Sequence, residues 1–314
     1  MKVHFGLPVA RIGPAALALG SFDGVHPGHQ AVIVCLVQSA QRDGVESVVL
    51  TFEPHPLCVV DPNRCPKSIT TLEEKLALLE GFNLDHAVVV PFTPQLGAQE
   101  ASDFMISLRA AVDIRLMVAG PDFTVGRHRE GDLAWLRGYA QRERFIVTVV
   151  NPVYSEGAEL HSTEVRRLVT LGQVDQANRL LGRAFSVVGV VETGDQIGRV
   201  LGFPTVNLAI EPNKLIPGQG IYAGWACLST GLHRAAISIG YRPTFAGTQL
   251  RVEAFLLDFE GDLYHQRLEL RFVARLRDEI KFDSPAELVE QIQKDVTRTR
   301  GLLEATPPTH PHPS

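Results

Sequence analysis

The sequence lacks a surplus of positive charge: 30 lysine and arginine residues stand against 35 aspartates and glutamates, giving a formal net charge of −5. Since nucleic-acid-binding proteins usually present a basic surface, this balance argues against a nucleic-acid partner. The chain also lacks an apolar run approaching the ~18 residues that a membrane helix needs. Its first residues, MKVHFGLPVARIGP, lack the apolar core of a signal peptide. We therefore expect a cytoplasmic protein that is not attached to a membrane.

Cysteine is scarce, and its four copies follow no metal-ligand spacing. In an intracellular protein this pattern is typical of reduced thiols. The four residues are Cys35, Cys58, Cys65 and Cys227. At the other end of the chain, residues 306–314 are rich in proline and histidine, which predicts a disordered tail.

Short apolar runs alternate with helical patterns through the first half of the chain. The predicted strands are Ala16–Gly20, Ser47–Phe52, His86–Pro91, Ile114–Ala119 and Phe145–Val150, and the predicted helices are Gly28–Asp43, Leu72–Glu80, Ala101–Ala111 and Leu133–Arg142. Strands that alternate with helices predict a doubly wound parallel α/β sheet. Ligands of such sheets bind beyond the carboxyl ends of the strands, where turns that are distant in sequence converge.

The pattern changes in the second half. Two short helices are predicted at Thr163–Thr170 and Val174–Leu180, and β-branched runs then follow one another closely from Phe185 to Phe272. Glycine and proline separate these runs, which predicts a small antiparallel β-barrel, and an amphipathic helix at Pro285–Thr299 follows it. A length of 314 residues predicts roughly two domains. We place them at 1–182 and 183–305.

The run LGSFDGVHPGHQAVI combines an apolar strand, a glycine-rich turn and the first turn of a helix. His26 and His29 lie three positions apart with Gly28 between them, so two imidazoles and several backbone N–H groups meet at one helix N-terminus. Such a terminus suits a polyphosphate anion. The spacing is the HxGH signature of nucleotidyltransferases. These enzymes catalyse attack by a substrate on the α-phosphate of a nucleoside triphosphate.

Adenylyl transfer needs positioning and positive charge around the phosphates, and LHSTEVRRL supplies a second basic group. Ser162 or Thr163 can cap a helix from whose first turn Arg166 projects. Each fragment also has an ordinary structural interpretation. Paired histidines often cap helices, STEVR is a common helix start, and TFEPHP is a rigid proline turn. Their shared placement after strands favours a common site.

The run GDQIGRVLGFPTVNL has three glycines before a Pro-Thr-x-Asn. Glycines let the backbone close over phosphates and form an anion nest. Thr205 and Asn207 alternate along an extended segment and therefore share one face. Their neutral oxygens suit a complex of Mg²⁺ with phosphate.

Glu253 is a lone carboxylate in the apolar run RVEAFLLDF, where a charge is costly unless it is functional or paired. Beside a substrate hydroxyl it can act as a general base. Because Glu253 is in register with Phe255 and Leu257, we expect it to face away from solvent. The alternative is a buried salt bridge with Arg251.

From residue 15 to residue 300, these motifs in this order resemble the bacterial bifunctional riboflavin kinase/FAD synthetases, also known as FMN adenylyltransferases. The matching runs of the adenylyltransferase module are GSFDGVHPGHQ, TFEPHP, TLEEKLALL, DHAVVVPFT, GPDFTVGRHREGD and the S-T-x-V-R run. Those of the kinase module are LLGRAFSVVG, GRVLGFPTVNL, LIPGQGIYAG, IGYRPTF, VEAFLLDF, GDLY and LRDEIKFDS. The resemblance implies that the barrel phosphorylates riboflavin to FMN with ATP. It also implies that the sheet, of the HxGH type, adenylylates FMN to FAD and releases pyrophosphate. Both steps would require Mg²⁺.

The resemblance also implies roles for individual residues. The ATP-binding set of the adenylyltransferase is Gly20, Phe22, His26, His29, Asp122, Ser162, Thr163 and Arg166, with His26, His29 and Arg166 acting in catalysis. The ATP- or flavin-binding set of the kinase is Gly198, Gly202, Thr205, Asn207 and Arg277, with Thr205 and Asn207 also holding Mg²⁺. Glu253 would deprotonate the ribityl 5′-hydroxyl of riboflavin for attack on the γ-phosphate.

Several positions depart from the family's usual residues: Val125, His161, Val206, Ser238, Phe255 and His265. At position 265 the family usually has glycine, which suggests a positive φ. Candidates for contact with the flavin ring are Phe203, Tyr241 and Phe245. Alternative interpretations are that only one module is active, that the chain is a catalytically dead flavin-binding regulator, or that the sheet adenylylates another phosphate. The last leaves the barrel unexplained. A homo-oligomer is compatible with all of them.

Overall fold

The chain divides into two units, Met1–Ser162 and Thr163–Ser314. The computed structural model describes residues 1–155, 158–193, 198, 201–244 and 247–306, without the side chains at 155, 158–159, 242–244 and 247–249. Phe245 and residues 307–314 of the predicted tail therefore lie outside the described residues. Among the helices of the described ranges, none combines the length and apolar character that crossing a membrane requires.

The first unit alternates strands and helices. Its strands are β1 (Lys2–Phe5), β2 (Ile12–Leu19), β3 (Glu46–Glu53), β4 (His86–Pro91), β5 (Val112–Ala119), β6 (Ile146–Val149), β7 (Tyr154–Ser155) and β8 (Ala158–Glu159). Its helices are α1 (Pro27–Asp43), α2 (Pro56–Val60), α3 (Leu72–Glu80), α4 (Pro94–Gly97), α5 (Ala101–Ala111) and α6 (Leu133–Glu143). Strands β7 and β8 form a separate antiparallel pair.

Six parallel strands form one sheet in the order β1-β4-β3-β2-β5-β6. Strand β2 is buried on both faces: Ala15 and Leu17 belong to one apolar core, and Ala16 and Ala18 belong to the other. Helices α5 and α6 contribute to the first core, and α1 and α3 to the second. The predicted doubly wound sheet is therefore confirmed.

Strand β1 was not predicted from the sequence. It pairs with β4 at the edge of the sheet, and its four residues KVHF are mostly exposed. Because lysine, histidine and apolar residues alternate over so short a segment, the apolar periodicity is too weak to distinguish an edge strand from a loop.

Side-chain caps fix where the helices begin. The Thr71 hydroxyl accepts the Glu74 N–H, and the Glu74 carboxylate accepts the Thr71 N–H, which is a complete capping box for α3. Asp132 caps α6 by accepting the Trp135 N–H at 2.8 Å. Helices α3 and α5 begin and end at the residues predicted from the sequence, and α6 ends one residue later than predicted.

The second unit begins with two helices and continues as a barrel. Its helices are α7 (Ser162–Thr170, whose first residue belongs to the first unit), α8 (Val174–Leu181) and α9 (Pro285–Ala305). Its strands are β9 (Phe185–Glu192), β10 (Thr205–Ile210), β11 (Gly220–Leu228), β12 (Gly231–Thr244), β13 (Gly247–Leu256) and β14 (Arg267–Arg277). Six antiparallel strands close in the order β10-β13-β12-β11-β14-β9, which confirms the predicted barrel. Helix α9 continues six residues beyond the predicted end at Thr299.

An asparagine of helix α8 bonds to two strands of the barrel. The Asn178 side chain donates to the Phe272 carbonyl at 2.8 Å and accepts the Phe185 N–H at 2.6 Å. These two bonds join the helix to β9 and β14.

Helix α9 is attached by a largely buried ion pair. Arg277, at the end of β14, donates to both carboxylate oxygens of Asp295 over 2.7 to 3.1 Å. Asp295 is only 6% exposed and also accepts from Gln291 at 3.0 Å. The carboxylate and guanidinium therefore satisfy each other away from water.

The cysteine prediction is wrong for one pair. Cys58 in α2 and Cys65, just after a 3₁₀ turn at Pro62–Arg64, form a disulfide bond, whereas Cys35 and Cys227 are free. The spacing of seven residues carries no signal of its own. The pair forms because the chain turns back on itself between the two cysteines.

Unfolding the protein without reductant should expose two reactive thiols, Cys35 and Cys227, and reductant should raise the number to the four cysteines of the sequence. In the folded protein, burial and the nearby Glu269 charge raise the pKa of Cys227 to about 12. Since the thiolate is the reactive form, Cys227 should resist alkylation at neutral pH. Mass spectrometry after iodoacetamide treatment measures both. Four reactive thiols before reduction would contradict the disulfide.

Asp295→Ala should lower the free energy of unfolding of the second unit by about 3 kcal/mol, since it leaves a largely buried guanidinium without its carboxylate. Thermal unfolding followed by circular dichroism measures the loss. Glu290→Ala is the matched control, because Glu290 forms an exposed pair with Lys294 on the same helix and should leave the melting temperature unchanged. Equal melting temperatures for both variants would show that the Arg277 pair contributes little.

Candidate active sites

The order of strands places a ligand crevice between β2 and β5. From β2 the chain continues to β3 on one side, and from β5 it continues to β6 on the other. Loops that leave neighbouring strands in opposite directions open a crevice at their carboxyl ends. The histidine motif follows β2 and the GPDF turn follows β5, so both border this switch point.

His26 and His29 are stacked at the start of α1. Their ring centroids are 3.7 Å apart, with 20° between the ring planes. His26 is the N-cap residue, and its Nδ1 accepts the His29 N–H at 3.4 Å. A neutral His26 therefore carries its proton on Nε2. A Cβ at Gly28 would lie 3.0 Å from the His26 ring, which explains why glycine separates the two histidines.

The cap uses some of the N–H groups that the sequence pattern assigned to an anion. Pro27 has no N–H, and the His29 N–H is directed to His26. What remains at this terminus is the positive end of a 17-residue helix and two imidazoles. The capping interpretation and the ligand interpretation of the histidines are therefore compatible, because capping fixes the ring of His26.

The turn before the histidines packs tightly. The Gly20 N–H donates to the Leu50 carbonyl at 3.1 Å, and a Cβ at Gly20 would lie 3.3 Å from the Phe22 ring. The rings of Phe22 and His29 meet edge to face, with centroids 5.4 Å apart. Gly20 thus packs against Phe22, whose ring supports that of His29.

The other predicted residues of this site lie on two further segments. Asp122 is exposed in the turn after β5. Ser162 is the first residue of α7, and its hydroxyl donates to the Asp23 carbonyl at 3.0 Å. Thr163 and Arg166 follow on α7, where Glu164 pairs with Arg167 at 2.7 Å.

A buried lysine beside this turn was missed from the sequence. Lys75 is only 4% exposed, and its Nζ donates to the Thr51 hydroxyl at 3.3 Å. Thr51 in turn donates to the Ser21 carbonyl at 2.9 Å. Burial lowers the pKa of Lys75, and the charges of Asp23 and Glu53 oppose that shift. The signal available in the sequence was that Thr51 and Lys75 are polar residues within apolar periodic runs.

The predicted kinase residues lie on the outer face of the barrel. Val252, Ala254 and Leu256 are buried toward the interior, whereas Glu253 and Phe255 alternate with them and are half-buried. The expectation that Glu253 faces away from the solvent side is therefore wrong. Apolar residues occupy both faces of β13, so a period of two could not show which face is the interior.

Three strands bring polar side chains into one row on this face. Asn207 of β10 and Ser238 of β12 lie opposite Glu253 from either side. The Thr205 hydroxyl donates to Glu253 Oε2 at 3.4 Å. Glu253 therefore adjoins the two residues that the sequence assigned to Mg²⁺ and phosphate.

The donor set fits Mg²⁺. Asn207 Oδ1 is buried and has no hydrogen-bond partner within the residues that the structure describes. Together with the Thr205 hydroxyl it offers hard, neutral oxygen ligands of the kind that a complex of Mg²⁺ with phosphate accepts. A Cβ at Gly198 would lie 3.4 Å from the Thr205 hydroxyl and 2.4 Å from the Phe203 carbonyl, so a glycine at position 198 lets the backbone there approach this set.

Aromatic side chains border the same row. Phe203 meets Phe255 edge to face, with ring centroids 5.4 Å apart, and Phe255 lies opposite Thr205. Tyr241 is 54% exposed at the far end of β12. Of the two proposed flavin contacts that the structure describes, Phe203 is therefore the one placed beside the polar row.

Backbone conformation explains two further positions. Gly202 has φ +84 with open space around its Cβ position, so its glycine serves the turn before β10. His265 has φ 63, which confirms the positive φ expected from the glycine usual at this position. Arg277 was predicted to bind ATP or flavin, but in this structure its guanidinium pairs with Asp295.

Two family models match the chain. The one described as FAD synthetase matches residues 10–164, and the one described as riboflavin kinase matches residues 181–303. A bifunctional riboflavin kinase/FMN adenylyltransferase of Listeria monocytogenes is 37% identical over 289 residues, which cover 91% of this chain and 92% of the relative. Proteins of the same name are 33% identical in Bacillus subtilis, over 90% of each chain, and 32% identical in Escherichia coli K12, over 93% and 94%.

A solved structure extends the likeness to the fold. The crystal structure of a Streptococcus pneumoniae protein named macrolide-efflux protein superposes with a TM-score of 0.86 at 28% identity. It covers 96% of this chain and 99% of its own. From the tandem family models and the relatives that match along nine tenths of its length, this chain belongs to the family of bifunctional riboflavin kinase/FMN adenylyltransferases.

Proposed function

We propose that the chain makes FAD from riboflavin in two ATP-dependent steps at two separate sites. On the barrel, the γ-phosphoryl group of ATP passes to riboflavin and gives FMN and ADP. On the sheet, the adenylyl group of a second ATP passes to FMN and gives FAD and pyrophosphate. The observation that carries the proposal is the stacked pair of His26 and His29 at the sheet's switch point, in a chain that also carries the Thr205–Glu253 contact on its barrel.

For the kinase step, Glu253 acts as general base. Its carboxylate takes the proton of the ribityl 5′-hydroxyl, whose oxygen then bonds to the γ-phosphorus while the bond to the leaving ADP breaks. Thr205 and Asn207 would hold Mg²⁺ together with the phosphates of ATP. When bound, this ion neutralises phosphate charge and so eases attack by an oxygen nucleophile. Phe203 and Phe255 would contribute an apolar surface beside the reacting groups.

For the adenylyl step, the phosphate of FMN attacks the α-phosphorus of ATP and pyrophosphate leaves. Charge grows on the leaving and non-bridging oxygens, so preorganised donors stabilise the transition state. The Nε2–H of His26 and the ring of His29 would supply such donors, with the α1 dipole behind them. Arg166 is proposed as the second positive group, with Asp122, Ser162 and Thr163 as further contacts to ATP.

We retain 1–182 and 183–305 as working domain limits. A cytoplasmic location, the absence of a nucleic-acid partner and a homo-oligomeric state stay predictions from the sequence. Their tests are cell fractionation, binding assays with nucleic acids, and light scattering of the purified chain.

The proposal is tested by incubating the purified chain with riboflavin, ATP and Mg²⁺ and separating the flavins by chromatography. A second reaction starts from FMN. Both FMN and FAD should form. FAD formed only from added FMN would mean that the barrel is inactive, and FMN that never becomes FAD would mean that the sheet is inactive. Flavin binding without either product would favour a regulatory protein.

His29→Ala should abolish FAD formation and leave FMN formation intact, because it removes one imidazole from the sheet site and leaves the proposed kinase residues unchanged. The measurement is the rate of FAD formation from FMN beside the rate of FMN formation from riboflavin. His128→Ala is the control, since His128 is exposed in a 3₁₀ turn and has no role in the proposed site. Equal loss of both activities would contradict the assignment.

Glu253→Gln should have the opposite effect. Glutamine keeps the size of the side chain and removes the base, so riboflavin phosphorylation should fall by about 10²- to 10⁴-fold. Adenylylation of added FMN should stay within twofold of the unchanged protein. Glu260→Gln, an exposed glutamate outside the barrel strands, is the control. A Glu253→Gln variant that retains full kinase activity would exclude Glu253 as the base.

A further inference from the structure

The turn between β2 and α1 has a strained backbone. Phe22 has φ 48 and Val25 has φ 39, in the left-handed region that bulky or β-branched residues rarely adopt. Both side chains are buried, at 2% and 1% exposure. Such a conformation persists only where surrounding contacts hold it in place.

Asp23 provides those contacts from inside the turn. Its carboxylate is 4% exposed and accepts three hydrogen bonds from the segment before α3: the Ile69 N–H at 3.1 Å, the Thr70 N–H at 3.0 Å and the Thr70 hydroxyl at 3.1 Å. The Gly24 N–H donates back to the Thr70 hydroxyl at 3.1 Å. The turn is therefore joined to a segment 46 residues further along the chain.

Other groups complete this attachment. The Asp23 carbonyl accepts the Ser162 hydroxyl at 3.0 Å, so the same residue is held from the start of α7. The Ser21 carbonyl accepts from Thr51, which in turn accepts from Lys75. Lys75 interacts electrostatically with Asp23, which gives the buried carboxylate a positive charge in its neighbourhood.

The strained turn leads directly into the histidines. Val25 precedes the cap residue His26, and the Phe22 ring lies against His29. A change in the backbone at Phe22 or Val25 would therefore move both imidazoles relative to α1. A shift of about 1 Å in a reacting group can cost about 10²-fold in rate.

We propose that Asp23 and Thr70 are positioning residues for adenylyl transfer: their hydrogen bonds hold residues 22–25 in the conformation that presents His26 and His29 to ATP. This inference rests on the proposed role of the histidines. It assigns no contact with ATP to either residue.

The test compares Thr70→Val, which keeps the size and β-branching of threonine but removes the hydroxyl, with Thr70→Ser, which keeps the hydroxyl. For FAD formation from FMN, Thr70→Val should lower kcat by about ten- to hundredfold while KM for ATP changes less than threefold. Thr70→Ser should restore most of the rate. Riboflavin phosphorylation by the same chains should stay within twofold and reports that the barrel is folded, while the recovery of FAD formation in Thr70→Ser reports that the sheet is folded.

Thr71→Val is the matched control, because the Thr71 hydroxyl accepts the Glu74 N–H and so caps α3. This variant weakens the cap of the same segment but keeps the Thr70 hydroxyl, whose hydrogen bond Asp23 accepts. An unchanged kcat in Thr70→Val would overturn the proposal, and so would an equal fall in Thr70→Val and Thr71→Val.

A second readout does not depend on activity. In spectra of ¹³C-labelled histidine rings, assigned with His26→Gln and His29→Gln, Thr70→Val should shift both resonances and Thr71→Val should leave them in place. If the unchanged protein forms no FAD, the proposed function fails, but the spectra still decide whether Thr70 positions the rings. Asp23→Asn, which keeps the shape of the side chain and removes its charge, should shift the same resonances.

Discussion

Burial of β2 on both faces is the constraint from which the sheet site follows. A strand packed between two apolar cores cannot change its direction or register, so its carboxyl end lies at a fixed place in the middle of the sheet. The chain must reverse there within a few residues to begin α1. It does so through a backbone that Phe22 and Val25 would not adopt alone, and hydrogen bonds from distant segments hold it there. The buried strand and the strained turn are thus adjacent at the proposed site of adenylyl transfer.

Sequence patterns predicted the parts of the fold that local chemistry decides. Helix α3 could be placed to the residue because Thr71 and Glu74 form a capping box that spacing alone reveals. Strands β1 and β10 were harder to predict, since short segments of mixed polarity carry little periodicity. Helix α9 continues past the fully buried Thr299 and through Gly301, because Leu303 beyond them is buried in an apolar cluster with strands β11 and β14.

Other features depend on contacts that no local pattern contains. The Cys58–Cys65 bond, the Asp23–Thr70 contacts and the Lys75–Thr51 bond each depend on how the chain returns to itself. The motifs located the histidines and the Thr205–Asn207 pair, and the resemblance supplied their roles. What the sequence could not give was the face of the barrel on which Glu253 lies, because alternation specifies two faces without saying which is filled.

The polar row of Thr205, Asn207, Ser238 and Glu253 lies on the outside of a closed barrel. Selection on this row and selection on the barrel interior therefore act on different residues. Val252, Ala254 and Leu256 fill the interior and determine whether the barrel folds, whereas Glu253 and Phe255 on the same strand face outward. Substitution at an outward position changes the surface of the proposed site and leaves the interior packing intact. Ser238 and Phe255, which differ from the residues usual in the family, both lie on this outward side. The outward side of this strand can therefore vary in evolution while the inward side preserves the stability of the barrel.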